Sequence, residues 1–284
     1  MIVDMRLRPP LPSLLDTPLF KPGAKSSTSH ADYPRAPSAD ARSPDLLLRE
    51  MDAAGIELGV VMGRQSSGGL GSVPNTELAD WISRYPDRFV AWAGIDVTQP
   101  MEQILAEVAE STGRRGFKGV SLEPSIAPGF TGTDDKRLYP LYDDCQQRDI
   151  PISITLSAIL QASEGRPVEY GTPIQLYRVA LDFPKLAIHV AHAAWPWVME
   201  MIGVAFTRPN IWISPDQYLL PPLPGAQLYA QAAVNFFQDR TLFGTAYPFK
   251  PLPEMVSAYR SWNWPKLIEQ QILSENALRL MRMK

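Results

Sequence analysis

Short apolar runs rich in β-branched residues recur along the chain, and each is followed by a stretch with helical periodicity. The runs predict strands at 2–8, 57–63, 88–95, 116–123, 151–157, 185–192, 210–216 and 241–247. The periodic stretches predict helices over about 44–54, 75–85, 100–112, 138–148, 172–183, 196–207, 226–238 and 252–262, with a last one over 265–282. Entry chemistry supports several of them. Ser43 precedes Pro44 and Thr172 precedes Pro173, pairing a hydroxyl cap with a residue whose missing N–H costs nothing in a first turn. Gly55 follows the first of these helices, where freedom at positive φ suits a helix end.

Strands that alternate with helices pair in parallel, because parallel neighbours need crossover connections. The expected fold class is therefore α/β, a (β/α)8 TIM barrel formed by residues 1–284 as one domain, with an extra C-terminal helix. A length of 284 residues fits such a barrel, although it also accommodates two average domains. An open doubly wound sheet is the other arrangement, but no G-x-G-x-x-G follows any strand. The segment 9–43 breaks the rhythm, with prolines at 9, 10, 12, 18, 22, 34 and 37 among many Ser, Ala and Thr residues. It leaves the end of strand 1 where barrel active sites form, so it is expected to be a lid loop. A loose excursion or an oligomer arm is the other reading.

Composition narrows the class. Lys+Arg 27 against Asp+Glu 30 leaves a net charge of -3, which gives no electrostatic reason for nucleic acid or an anionic membrane as partner. The single cysteine, Cys145, excludes an internal disulfide and a thiolate zinc site. Arginines stand where a signal peptide would place its apolar run, and no stretch approaches the roughly 20 apolar residues of a membrane span. A soluble, cytoplasmic protein is expected, and self-association into a homo-oligomer stays open.

Candidate chemistry gathers at the strand ends. Alternation along strand 1 puts Asp4, Arg6 and Arg8 on one face, turned into the barrel, and Val3, Met5 and Leu7 on the other, against the helices. Two guanidinium groups about 7 Å apart repel by about 2 kcal/mol at an effective dielectric near 20, so an anion should sit with them. Asp4 and Glu123 are internal candidates and a substrate carboxylate is the external one. Strand 6 ends at His192, a candidate general base, whereas His189 is expected to face the helix layer and His30 belongs to the Pro-rich segment. Asp216 after strand 7 and Glu123 after strand 4 are candidate catalytic carboxylates. Arg64 adds a cation at the rim, and Thr155 on strand 5 offers a hydroxyl. Trp195, Trp197, Trp212 and Tyr247 stand near strand ends, with Trp195 and Tyr247 taken as substrate-contacting walls. Each has a plainer reading, as an internal ion pair or as strand-to-helix packing.

GFKGVSLEPS (116–125), AHAAWPWVMEMI (191–202), RPNIWIS (208–214), LFGTAYPF (242–249) and ENALRLM (275–281) resemble motifs of the amidohydrolase-related family, TIM-barrel hydrolases and decarboxylases. That resemblance runs over nearly the whole chain. It implies a divalent metal held by H-x-H on strand 1, by histidines on strands 5 and 6, and by an aspartate ending strand 8. At those positions this sequence has Arg6-Leu7-Arg8, Thr155, His192 and Ala246. One imidazole beside two permanent cations does not make a catalytic metal site, so no metal and no other cofactor is expected. Metal-independent lactone hydrolysis in the wider group keeps an enzyme reading open. The expectation is a metal-independent hydrolase or carboxy-lyase acting on a small anionic substrate. Arg6, Arg8 and Arg64 would bind the acid, His192 would be the base, and Asp216 or Glu123 would assist. The alternative is a non-catalytic barrel that binds an acidic metabolite or a protein partner.

Overall fold

The computed structural model describes residues 1–21, 35–65 and 69–283. Seven parallel strands follow one another in chain order around the sheet: β1 (Val3–Leu7), β2 (Leu58–Met62), β3 (Phe89–Gly94), β4 (Val120–Leu122), β5 (Ile152–Ser157), β6 (Ile188–Trp195) and β7 (Ile211–Ser214). Helices connect them, as parallel crossovers require. The expected eighth strand does not form as a regular element. Residues 241–247 instead close the circle through isolated bridges, Ile213 to Thr241 on one side and Leu7 to Tyr247 on the other. Backbone hydrogen bonds from Met5 N to Phe243 O (3.0 Å) and Leu242 N to Ile213 O (2.9 Å) seal both seams. The Phe243 N–H leaves the ladder and donates to the Ile272 carbonyl at 3.0 Å, in the wide turn Gln271–Glu275 of the C-terminal helical segment.

Capping settles the helix beginnings. Helix Pro44–Ala54 starts where Ser43 Oγ accepts from Leu46 N at 3.2 Å and stops at Gly55, whose φ is 71°. Helix Pro173–Asp182 starts at Thr172 in the same way. The predicted final helix spans Lys266–Gln270 and Asn276–Leu280 with the wide turn between them. The short helix Ala158–Ser163, capped by Ser157, has no counterpart in the predicted pattern.

The core lies in two layers. Leu7, Val61, Ala91, Ile154, Val190 and Ile213 join the cluster that strands share with helices. Val3, Met5, Val60, Met62, Trp92 and Leu242 form a second cluster with Ala277, Leu280 and Met281. The predicted alternation along β1 therefore does not hold over its whole length. The register with β2 slips between Asp4 and Leu7, so Val3 and Met5 pack away from the helix-side cluster that Leu7 joins. His189 also departs from expectation. Its ring meets the Trp92 ring edge-on at 6.1 Å, and β3 and β6 are not neighbours, so both side chains reach into the barrel.

The described flanks of the Pro-rich segment pack rather than trail. Leu11, Leu14, Leu19, Phe20, Ala36 and Ala39 are buried, in and around a one-turn helix at Pro12–Leu14 and a short helix at Pro37–Ala41. Residues 22–34, His30 among them, lie outside the described residues. Among the described residues no helix is long and apolar enough to cross a membrane.

Candidate active site

At the C-terminal ends of the strands, β1 delivers Arg6 and the residue after it brings Arg8, both nearly fully buried. Asp4 stays close to the backbone: its carboxylate accepts from Arg6 N (2.9 Å), Thr245 N (3.0 Å) and Thr245 Oγ1 (2.6 Å). Burial pushes its pKa up to about 6 against these hydrogen bonds. It therefore braces β1 to residue 245 rather than neutralising a guanidinium by contact. Arg6 Nε and Nη1 have no hydrogen-bond acceptor, and burial lowers the Arg6 pKa while Asp216 and Glu123 hold it up. Arg8 is worse placed. Its Nε is unpaired, its Nη2 lies 3.6 Å from Glu123 Oε1, and burial followed by repulsion from Arg6 depresses its pKa strongly.

Glu123 is claimed elsewhere. Arg64 Nη1 donates to its Oε1 at 2.8 Å, and Arg64 also reaches Glu164 at 3.6 Å and the Gly71 carbonyl at 3.1 Å. Arg64, expected at the rim, is 2% exposed and bridges the β2 and β4 exits to helix Ala158–Ser163.

His192 enters the mouth through a distorted strand end. The β5–β6 register shifts between Thr155 and Ser157, and His192, Ala193 and Ala194 take φ of 66°, 44° and 56°. Left-handed backbone costs a non-glycine residue about 1–2 kcal/mol, and such strain tends to gather at functional sites. The turn lets Asp216 Oδ2 receive the His192 backbone N–H at 3.0 Å and approach Nδ1 at 3.0 Å, off the straight N–H···O line. Burial lowers the His192 pKa, so the imidazole is neutral near pH 7. Burial raises Asp216, but the hydrogen bonds from His192 and Ser214 and the charge of Arg6 outweigh it and hold the carboxyl below its ordinary value. Ser214 Oγ donates to Asp216 Oδ1. Gly244 makes this crowding workable, because a Cβ there would lie 2.2 Å from Asp216 Oδ1 and 2.9 Å from Arg6 Cβ.

The structure thus gathers Arg6, Arg8, Glu123, His192 and Asp216 around one mouth. Thr155 is buried on β5 with its Oγ1 unpaired. Trp195 sits at the edge, its Nε1 donating to Pro224 O at 2.9 Å. Tyr247 has its backbone carbonyl on Arg8 N at 3.1 Å, but its hydroxyl meets Ser38 Oγ at 2.9 Å and its ring faces Phe20. Trp212 is level with His189 on β7, below the mouth, and carries Arg279 over its ring at 5.0 Å. Sequence reasoning missed Tyr218, which stacks on Trp195 with ring centroids 5.0 Å apart and stands edge-on to His192. Its place two residues after Asp216 was the available signal. Among the described residues there is no group of three or more His, Cys, Asp or Glu placed to hold a metal.

A family model described as Amidohydrolase matches residues 3–283. An uncharacterised TIM-barrel protein from Bordetella bronchiseptica is 39% identical, with 99% of this chain and 98% of that one covered and a TM-score of 0.91. The 2,6-dihydroxybenzoate decarboxylase from Rhizobium superposes with a TM-score of 0.74 at 17% identity, covering 99% and 98% of the two chains. A dihydroxybenzoic acid decarboxylase from Polaromonas sp. JS666, with bound manganese and the inhibitor 2-nitroresorcinol, gives 0.72 at 16% identity, covering 99% and 96%. The comparison with curated proteins finds no match. The last two likenesses speak to fold. The family match over nearly the full length makes this chain a member of the amidohydrolase family.

Proposed function

We propose that the protein is a metal-independent carboxy-lyase or hydrolase acting on a small carboxylate-bearing, planar substrate. One observation carries this reading: two buried arginines with unpaired N–H groups stand beside a neutral His192 that is turned to the Asp216 carboxylate. Guanidinium groups bind carboxylates bidentately and stabilise developing oxyanions.

Manganese in the Polaromonas relative raises the question of a metal here. The residues do not fit one. Guanidinium groups carry no lone pair for coordination, Thr155 offers only a neutral hydroxyl, and Ala246 offers no donor. The unpaired Arg6 and Arg8 nitrogens would also repel a cation.

Arg6 and Arg8 would hold the oxygens on which negative charge builds, an enolate or phenolate in the lyase case. His192, turned to Asp216 through Nδ1, keeps Nε2 as a base. In carboxy-lyase chemistry it takes a proton from solvent and gives it to the carbon bearing the carboxylate. The C–C bond breaks, its electron pair stays on that carbon, and CO2 leaves. The decarboxylase neighbours favour this reaction. The neutral imidazole favours the second, in which His192 deprotonates water for attack on a lactone carbonyl. The flanks of segment 9–43, seated on Tyr247 through Phe20 and Ser38, would wall the mouth as a lid.

A panel of hydroxybenzoates and carboxylated lactones, assayed after chelation for CO2 release and for acid production, tests the proposal. Turnover that survives chelation and is lost in Arg6→Met supports it. Activity restored only by added divalent metal, or saturable binding with no turnover of any acid, refutes it.

A further inference from the structure

We infer that Tyr218 is a positioning residue for His192, its ring holding the imidazole in place and keeping water from that side. This rests on reading His192 as the base but adds a residue that reading does not use. Tyr218 lies in the single-turn helix Asp216–Leu219 at the exit of β7. Asp216 opens that turn with φ of 53°, and Tyr218 N donates to Pro215 O at 3.0 Å. The turn thus carries both the carboxylate and the ring that flank His192. The two rings meet at 86° with centroids 5.5 Å apart, an edge-to-face contact of the favoured kind.

Tyr218 is held from other sides as well. Its face lies on Trp195 at 5.0 Å and 7° between planes, and Trp195 is pinned in turn to Pro224 O. Its hydroxyl is within hydrogen-bonding reach of the Ser157 and Gln217 side chains. Burial pushes the phenol up to about 12, so it stays neutral and adds no charge to the mouth. The charged or titratable groups around the imidazole are Asp216 beyond β7, Arg6 and Arg8 from β1, and His189 on β6. Glu123 beyond β4 is paired with Arg64, and β5 carries the uncharged Ser153, Thr155 and Ser157 hydroxyls. Tyr218 therefore acts on His192 by exclusion of water and by shape. Removing its ring admits water and relieves the desolvation that lowers the imidazole pKa, while Asp216 keeps its hold on the His192 backbone N–H.

The test is an NMR titration of the full chain without substrate, with the three histidines assigned through His189→Gln and His192→Gln. Tyr218→Phe keeps the ring and should leave the His192 midpoint where it is. Tyr218→Ala should raise it by about one unit. Where a substrate is turned over, the acidic limb of kcat/KM should move up by the same amount. An unmoved midpoint in Tyr218→Ala, or an equal shift in Tyr218→Phe, overturns the inference. If Tyr218→Ala fails to fold, Trp195→Leu, which unstacks Tyr218 from outside, should give a smaller upward shift, and no shift there counts against it. Because the titration needs no substrate, failure of every carboxylate assay would sink the proposed function while this result stands separately.

Discussion

Arg8 and Arg64 carry the same guanidinium, and both are buried, but their surroundings differ. Arg64 reaches two carboxylates and a carbonyl, so Arg64→Met breaks the buried pair with Glu123 at 2.8 Å and loosens Glu164, and should cost about 3–5 kcal/mol. Arg8→Met removes a desolvated cation that repels Arg6, and leaves Glu123 with Arg64 at 2.8 Å. It should therefore hold or raise the urea midpoint while abolishing carboxylate binding. Equal losses in the two variants would contradict this division between a structural and a ligand-seeking arginine. His189 gives a pH prediction at the same scale. Burial pushes its pKa to about 4 from an ordinary 6.5, so between those values the unfolded chain binds the extra proton. Stability is lost as pH falls through that window, by on the order of 3 kcal/mol. Asp4, raised to about 6 by burial, works the other way, since the folded chain binds its proton first and gains stability as pH falls toward 3.8. His189→Leu should therefore lose less stability than the natural protein between pH 7 and pH 4.5 in urea titrations. Parallel curves would show that His189 is not a buried neutral imidazole.

Among elements, those whose ends are written in local chemistry were legible in the sequence. Helix Pro44–Ala54 runs from the Ser43 cap to Gly55 as predicted, because cap and stop lie within the segment itself. Ser43→Ala should cost about 1 kcal/mol, and the effect should reach further. Glu50 of this helix receives the Ser38 N–H at 2.8 Å and its hydroxyl, and Ser38 in turn touches Tyr247. Amide exchange at 37–41 should accelerate together with the helix; protection lost from the helix alone would mean the two are uncoupled. What sequence could not give is where periodicity breaks. The slip in β1 puts Val3 and Met5 in a different cluster from Leu7, although the pattern placed all three on one face. The left-handed run at 192–194 returns His192 to the mouth after His189 already points inside the barrel. Both depend on the neighbouring strand, which a period-two pattern does not contain. The segment 241–247 fell short of a strand for a similar reason, since Phe243 gives its N–H to a helix carbonyl.

For the whole molecule, the barrel separates a largely apolar cluster from a charged mouth, and folding leaves charged hydrogen-bonding capacity unused on Arg6 and Arg8 at that mouth. The family's fold could be read from strand and helix alternation, but the chemistry of this member rests on residue types that the fold does not dictate. Unused capacity on Arg6 and Arg8 makes the free protein less stable than its fold allows, and a bound carboxylate should recover part of the difference. A ligand that binds only the folded state adds about 2.7 kcal/mol at one hundred times its Kd. For a chain of this size each kcal/mol moves the melting temperature by about 2–4 °C, so a saturating aromatic carboxylate should raise it by about 5–10 °C. The increment should shrink with salt, because the contact is between charges, and should vanish in both Arg6→Met and Arg8→Met. Benzamide, matched in shape but uncharged, is the control. A shift of similar size with benzamide, or one that persists without either arginine, would move the binding energy to the aromatic rim at Trp195 and Tyr218 and remove guanidinium chemistry from the account.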